Sequence, residues 1–188
     1  MKYKVGIFGS AEGDFEKILT KAQELGRVLA EKKVIVVTGA STGIPFVVAR
    51  NAYEHVAEIW GFSSATNLTA QRKMMEGIDN DVFSKLFFIP KGYLFAKDEN
   101  VCRKYRNVTS TATCDAGIII SGRWGTMNEF TNLFDMGKII GVLTGTGGIA
   151  DELESLMEKI NKPSKAKVFF SDSPNELIKK ILSELEQR

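Results

Sequence analysis

The sequence predicts a doubly wound α/β fold, with a mainly parallel sheet of about seven strands and helices on both faces. Short apolar runs alternate along the chain with longer segments in which apolar residues recur at helical spacing. Continuously apolar strands are typical of a parallel sheet, because helices cover both of its faces. No repeat or Pro/Ser-rich linker interrupts this pattern, so we expect one nucleotide-binding domain over residues 1–188.

In the first half of the chain, apolar runs predict three strands, and periodic segments predict two helices. The predicted strands cover residues 5–8, 34–37 and 59–62, and the predicted helices cover residues 15–29 and 43–55. Pro45 fits the first turn of the second helix, where its missing N–H is not needed. Residues 63–85 give no clear pattern.

In the second half, the alternation of strands and helices is regular. The predicted strands cover residues 86–89, 117–120, 139–143 and 168–170, and the predicted helices cover residues 99–113, 126–136, 149–160 and the segment from Pro174 onward. Pro90 is expected to stop the first of these strands. The last helix should bury one face, formed by Leu177, Ile178, Ile181, Leu182 and Leu185.

The helix predicted over 99–113 has two unlike faces. The apolar residues Val101, Tyr105, Val108 and Ala112 share one side and are expected to be its packed face. The opposite side carries polar residues, namely Arg103, Arg106, Asn107, Ser110 and Thr111. Such a stripe is usually a solvated surface, but its two arginines also suit an anion site, and the spacing does not distinguish the two.

Composition and charge exclude several classes of protein. The formal net charge is +2, which gives no electrostatic footprint for duplex nucleic acid, so we expect no nucleic-acid partner. The two cysteines form neither a disulfide framework nor a zinc pattern, and free thiols fit a reducing compartment. No signal sequence and no apolar run of ~20 residues is present, so we expect no membrane partner and a cytoplasmic location.

The segment 121–129 is the strongest candidate ligand site, because a predicted strand runs there through glycines into a helix. Ligands of open parallel sheets bind beyond the carboxyl ends of the strands. The helix start offers free N–H groups and a positive dipole end to a phosphate, to which Arg123 could add a charged hydrogen bond. Alternatively, Thr126 and Glu129 have the spacing of a capping box, in which each side chain only satisfies a backbone N–H.

Two other loops are rich in glycine. Residues 38–43 join a predicted strand to a helix, but they lack the P-loop lysine and a full dinucleotide fingerprint, so a capped turn is the alternative. Residues 144–148 permit close backbone approach, with a flexible connection as the alternative. His55, the only histidine, is expected to cap carbonyls or meet solvent at a helix end. Trp124 suits stacking on a base, although packing is the commoner use.

The segment from Ser121 to Glu129 resembles the signature of the LONELY GUY (LOG) family, which lies within a wider group of Rossmann-like nucleotide-binding proteins. The family signature is P-G-G-x-G-T-x-x-E, and this sequence reads S-G-R-W-G-T-M-N-E. An Arg-Lys pair precedes it in the family, where this chain has Arg106 followed by Asn107. Three positions thus depart from the family pattern, since Ser121 replaces proline, Arg123 a glycine and Asn107 the lysine.

The resemblance implies a nucleoside 5′-monophosphate phosphoribohydrolase, which cleaves the N-glycosidic bond to give free base and ribose 5-phosphate. The family's catalytic pair carries over to Arg106 and Glu129. The family further implies a homodimer or larger assembly, a small-molecule nucleotide ligand and no redox cofactor. The sequence shows no metal-ligand cluster, so we expect no metal. Nucleotide and phosphate contacts are expected in two of the loops, at Gly39, Ser41, Thr42, Gly43, Ser121, Gly122, Arg123, Gly125 and Thr126.

A different class of function stays open within the same group. It also contains proteins that bind nucleotides or carry molybdenum cofactor without glycosidase chemistry, and the three departures fit such a carrier. The older label of the family, "possible lysine decarboxylase", finds no support, because no constellation for a pyridoxal-phosphate Schiff base is readable.

Overall fold

The computed structural model describes residues 2–13, 15–76, 79–160 and 162–188. These residues form a seven-stranded sheet in which every strand pairing is parallel, so the predicted fold class is confirmed. In chain order the strands are β1 (Lys4–Gly9), β2 (Ile35–Thr38), β3 (Glu58–Phe62), β4 (Lys85–Phe87), β5 (Ala116–Ile120), β6 (Ile139–Leu143) and β7 (Lys167–Ser171).

Seven α-helices connect or follow the strands in the described part of the chain. They are α1 (Leu19–Glu31), α2 (Ile44–Glu54), α3 (Leu68–Met74), α4 (Glu99–Thr113), α5 (Trp124–Asp135), α6 (Ile149–Lys159) and α7 (Pro174–Glu186), and 3-10 turns lie at Glu16–Ile18 and Asn80–Val82. Residues 63–85, which show no clear sequence pattern, thus contain α3. Within this stretch, residues 77 and 78 lie outside the described residues. The fourth strand ends before Ile89, whose N–H bonds instead to the Ala65 carbonyl at 2.9 Å.

The strand order places β1 at the centre of the fold. The order is β4-β3-β2-β1-β5-β6-β7, so the chain first builds outward from β1 and then restarts on its other side with β5. Val5 of β1 pairs with Val36 on one side and with Ala116 on the other. Reversal of the winding direction between β1 and β5 opens a crevice at the carboxyl ends of these strands. The loops after β1, β2 and β5 meet there.

Helices cover both faces of the sheet, and each face has its own apolar core. On one side α1, α2 and α7 bury Leu25, Val48 and Ile181 against the strands. On the other, α5 and α6 bury Leu133 and Leu153. The predicted inner face of α7 is confirmed, because Leu177, Ile178, Ile181 and Leu185 are buried and Leu182 packs against them.

The predicted packing face of α4 is wrong. Val108 on the apolar side is 45% exposed, whereas Asn107, Ser110 and Thr111 on the polar side are buried. The buried hydroxyls find acceptors within the helix, since Ser110 Oγ and Thr111 Oγ1 donate to the Asn107 carbonyl at 3.1 and 2.7 Å. Polar groups satisfied in this way can be buried at little cost, and helical periodicity alone does not reveal it.

The two cysteines and the only histidine agree with the predictions made from the sequence. Cys102 and Cys114 are free and buried. The exposed His55 caps a helix end, with Nδ1 2.8 Å from the Asn51 carbonyl. Among the residues described, no helix is both long and apolar enough to cross a membrane. The cytoplasmic location stays a prediction.

Candidate functional site

A cavity of about 590 Å³ opens at the carboxyl edge of the sheet, where the winding direction reverses. Its walls come from several parts of the chain. Residues 7–12 and 39–42 contribute the end of β1 with its loop and the loop after β2, and Pro45 at the start of α2 lies next to them. The other walls come from the end of α3 and the first halves of α4 and α5. The site is therefore built from segments that are far apart in sequence.

Most of the residues singled out in the sequence reach this cavity, but three do not. Those lining it are Gly39, Ser41, Thr42, Arg106, Arg123, Gly125, Thr126 and Glu129. Gly43, Ser121 and Gly122 are absent from its walls and instead determine the backbone path of their loops.

The polar side of α4 faces the cavity in part, because Arg103 and Arg106 line its wall. Asn107 on the same side is buried beside them.

Ser121 and Gly122 form the bend that carries the chain from β5 into α5. Both have left-handed backbones, with φ of 52° and 103°. The Ser121 N–H donates to Thr146 Oγ1 at 2.8 Å, and the Gly122 carbonyl accepts from the Ile149 N–H at 2.9 Å. A Cβ added at Gly122 would lie 2.6 Å from the Thr126 side chain, so only glycine fits. The bend directs the N-terminus of α5 into the cavity.

The third glycine-rich loop, residues 144–148, supports this bend rather than a ligand. Its amides at Gly145, Thr146 and Gly147 all donate to the Asp151 carboxylate, at 2.7, 3.3 and 2.9 Å. Because these donors are already used and the loop does not line the cavity, it has little to offer an anion. It is an ordered turn at the start of α6, not a flexible connection.

The loops after β1 and β2 are fixed to each other and to α4. The Ile44 N–H donates to the Ser10 carbonyl at 3.0 Å, and a Cβ at Gly43 would lie 2.3 Å from that same oxygen. The Gly39 carbonyl accepts from Arg106 Nη1 at 3.1 Å, and a Cβ there would approach Arg106 Cζ to 3.1 Å. Glycine at position 39 thus leaves room for the guanidinium.

The capping-box interpretation of Thr126 and Glu129 is wrong. Helix α5 begins at Trp124, and its N-cap residue, Arg123, makes no side-chain capping bond. Thr126 therefore lies within the first turn and Glu129 in the second, where neither can cap the helix. A Cβ at Gly125 would meet nothing within 4 Å, so packing within the described chain does not explain this glycine. The uncapped helix end faces the cavity and suits an anion.

Glu129 is a buried carboxyl in the cavity wall. It is 6% exposed, and its carboxylate accepts no hydrogen bond from the described residues. Burial raises the pKa of Glu129 to about 7, although the positive charges of Arg106 and Lys104 both act to lower it. A carboxyl with a pKa near neutrality can both accept and release a proton under physiological conditions.

Arg106 is held rigidly beside Glu129 by its neighbour in sequence. Its Nε and Nη2 donate to Asn107 Oδ1 at 3.2 and 3.0 Å, and Asn107 Nδ2 donates in turn to Asn128 Oδ1 at 3.2 Å. Burial lowers the pKa of Arg106, while Glu129 raises it and Arg103 lowers it. Asn107, which replaces the family's lysine, therefore orients the arginine instead of supplying a second cation.

The remaining charges of the cavity are paired at its exposed mouth. Arg123 Nη2 lies 3.4 Å from Glu12 Oε2, which links the start of α5 to the loop after β1. Arg103 pairs with Glu99 one turn away on α4. By contrast, the half-buried Arg106 and the buried Glu129 form no ion pair within 4.0 Å, either with each other or with any other described residue. These two charges are thus not neutralised by a close partner of opposite charge in the described part of the chain.

Sequence reasoning missed two walls of the cavity. The loop after β1 contributes residues 9–12, and the glycines at 9 and 13 that flank it are a signal that could have found it. The other wall is formed by Met74 and Met75, in a stretch that showed no readable pattern. Trp124 is 85% exposed and lines no part of the cavity. It therefore neither packs inside the chain nor is positioned to stack on a base in this cavity.

No cluster of three or more His, Cys, Asp or Glu side chains that could hold a metal exists among the described residues. The fold and the cavity define a Rossmann-like α/β protein with a candidate ligand site at the carboxyl edge of its sheet. The chain belongs to the SLOG cluster4 family, whose model matches residues 2–178, and the LOG-like resemblance is thereby confirmed. Among curated proteins, none matches this sequence significantly.

Solved structures share the fold at low sequence identity. Protein TM1055, a structural-genomics target, has a TM-score of 0.74 and 21% identity, with 98% of this chain and 99% of that chain covered. The molybdenum cofactor binding protein from the phototrophic bacterium Rippkaea orientalis has a TM-score of 0.70 and 17% identity, with 98% of each chain covered. DNA processing protein A from Helicobacter pylori has a TM-score of 0.64 and 18% identity, with 97% and 81% covered.

The last of these structures corrects the prediction that nucleic acid is excluded as a partner. DNA processing protein A from Helicobacter pylori is described with a single-stranded DNA binding mode, on a fold that matches almost all of this chain. The prediction rested on the net charge of +2 and on the footprint expected for duplex DNA. It was wrong because net charge does not report local charge, and because single strands are bound by other means, including stacking.

Proposed function

We propose that this chain binds a nucleoside 5′-monophosphate and hydrolyses its N-glycosidic bond. The observation that carries the proposal is the Glu129 carboxyl, buried in the wall of the main cavity with a pKa of about 7 and no hydrogen-bond partner among the described residues. Perturbed carboxyls in clefts are characteristic of catalytic sites. Membership of the SLOG cluster4 family and the match of Arg106 and Glu129 to the LOG catalytic pair support it further.

In this proposal the phosphate binds at the start of α5. The uncapped amides there, the open space beside Gly125 and the exposed charge of Arg123 at the mouth all suit a dianion. The Thr126 hydroxyl and the loop of residues 39–42 lie on the same cavity and suit the phosphate and ribose hydroxyls. Binding energy from this remote group positions the reacting bond.

Chemistry at the ribose then follows from the charge of Glu129. As the bond from C1′ to the base nitrogen breaks, its electron pair leaves with the base and positive charge develops on the sugar. Ionised Glu129 stabilises that charge and accepts a proton from the attacking water, whose oxygen bonds to C1′. The proton taken from water is then available for the departing base. Arg106 favours the ionised form of Glu129 and fixes the geometry around it.

Incubation with nucleotides tests the proposal. The substrates are AMP, GMP, CMP and modified-adenine ribotides, and the products measured are free base and ribose 5-phosphate. Release of both products in equal amounts is expected from the wild-type protein, and its loss is expected in Glu129→Gln. If no substrate yields either product, hydrolysis of these nucleotides is ruled out.

A non-catalytic nucleotide or molybdenum-cofactor carrier is the second candidate. The observation favouring it is Arg123, a long cation that reaches Glu12 across the mouth of the cavity where the LOG signature has glycine. The likeness in fold to a molybdenum cofactor binding protein is compatible with this candidate. Thermal stabilisation by a nucleotide that is never turned over would favour the carrier over the hydrolase.

The homodimer implied by the family resemblance stays a prediction. Val108 on α4 and Trp124 on α5 are 45% and 85% exposed and are candidates for the contact surface of such a dimer. Sedimentation of the purified protein measures its assembly directly. A monomer at micromolar concentration would count against the dimer.

A further inference from the structure

Met74 and Met75 form the wall of the cavity opposite the start of α5. They stand at the C-terminal end of α3, which follows β3, whereas α5 follows β5. Strands β2 and β1 lie between β3 and β5 in the sheet. Strands β3 and β5 are three strand spacings apart, or about 14 Å. A phosphate at α5 therefore fills only one end of the cavity.

The walls of the cavity differ in chemistry. The charged side chains of the cavity come from α4, α5 and the loop after β1, while α3 contributes two thioethers. Met75 belongs to the apolar core and is 3% exposed, but Met74 is 44% exposed at the cavity. Methionine side chains make favourable contacts with aromatic rings through their polarizable sulfur, and they adapt to flat ligands.

The end of α3 is anchored in place, so this wall is part of the built site. The buried Gln71 donates from Nε2 to the Ala40 carbonyl at 2.9 Å, which ties α3 to the loop after β2. Gln71 Oε1 accepts a short hydrogen bond from Ser63 Oγ at the end of β3. At its other end α3 is capped by Asn67 Oδ1, which accepts from the Ala70 N–H at 2.9 Å.

We propose that Met74, which ends α3 in the cavity wall beside the buried Met75, is the platform on which the aromatic base of the nucleotide stacks. The assignment rests on the proposed function, and it adds the group that recognises the base. Met74 supplies apolar contact to the flat face of the ring and makes no hydrogen bond to its edge. The site should consequently tolerate different bases while requiring that an aromatic ring be present.

Calorimetry with two ligands tests the platform. Carbocyclic AMP keeps base and phosphate, but a carbon replaces the ring oxygen, so that the bond is not cleaved. Ribose 5-phosphate lacks the base. Met74→Ala is expected to weaken binding of carbocyclic AMP by about tenfold and to leave ribose 5-phosphate unchanged. Met74→Leu, which keeps the apolar contact, should retain most of the affinity.

Leu68→Ala is the matched control. Leu68 lies on the same helix, is 40% exposed and lies outside the cavity wall, so both ligands should bind its variant as they bind the wild type. Equal weakening of both ligands in Met74→Ala, or weakening of neither, would overturn the platform while leaving the phosphate site intact. If the wild type binds neither ligand, the proposed function fails and the platform falls with it.

Discussion

Asn107 accepts two hydrogen bonds from Arg106, the residue before it, through a single oxygen that lies 3.2 Å from Nε and 3.0 Å from Nη2. Adjacent residues on a helix do not normally face each other. Here the arginine side chain turns back across the helix, because its third contact is the Gly39 carbonyl on the loop after β2. The guanidinium thus joins α4 to that loop and is fixed beside Glu129.

Removal of this support should impair turnover more than binding. In Asn107→Ala the guanidinium loses two of its three hydrogen bonds, and we expect kcat to fall by about 100-fold, because small displacements at a reacting centre cost that much. Asn128→Ala is the control, since it removes the partner of Asn107 Nδ2 but leaves both bonds to Arg106. Steady-state kinetics with the best nucleotide measures both. Equal losses in the two variants would show that Asn107 does not act through Arg106.

Glu129→Gln should abolish most turnover while the nucleotide still binds. Glutamine keeps the size of the side chain and loses the negative charge, so kcat should fall by about 10²–10⁴-fold, the usual contribution of a general base. In the wild type the rate should rise with pH through the carboxyl's pKa of about 7, since the ionised form is the active one. Turnover in Glu129→Gln equal to that of the wild type would end the catalytic assignment.

The same substitution should stabilise the fold at high pH. The pKa of Glu129 is about 7 in the folded protein and 4.5 ordinarily, so the folded state retains a proton that the unfolded state has released between these values. Stability from this group is therefore present at low pH and lost as pH rises toward 7, by roughly 3 kcal/mol in all. Glu129→Gln should gain stability relative to the wild type between about pH 5 and about pH 8.

Urea unfolding at the two pH values measures that gain. Glu154→Gln, which changes an exposed glutamate on α6, is the control and should show no such pH-dependent difference. If the difference in free energy of unfolding between wild type and Glu129→Gln stays the same across this range, burial does not hold the proton on Glu129. The experiment needs no substrate and is therefore independent of the proposed activity.

Arg123 and Glu12 should affect anion binding in opposite directions. Their ion pair at the mouth is exposed, so a phosphate can displace Glu12 at small cost. Arg123→Ala should weaken ribose 5-phosphate by about tenfold at low salt, and less at high salt, whereas Glu12→Gln should tighten it. Arg27→Ala breaks a comparable exposed pair on α1 and should leave binding unchanged. Tighter binding in Arg123→Ala would show that this side chain blocks the site.

The sequence by itself determined the layered architecture and the bounds of most elements. The apolar runs around Val36 and Ile118 and the periodic face of Leu177 and Ile181 reflect burial, which local pattern records directly. It also singled out Arg106 and Glu129, through the resemblance of residues 121–129 and the upstream Arg106 to the LOG signature. The layered architecture is predictable because burial patterns depend on near neighbours in the chain.

Only the tertiary structure decided which side chains share the cavity. Asn107 and Thr111 are buried because their partners come from the α4 backbone and from Asn128, which periodicity does not show. Met74 reaches the site because Gln71 ties its helix to the loop after β2. The pKa of Glu129 is raised because several distant segments of the folded chain bury its carboxyl. Long-range contacts and desolvation arise only once distant segments meet, and a linear pattern carries no record of them.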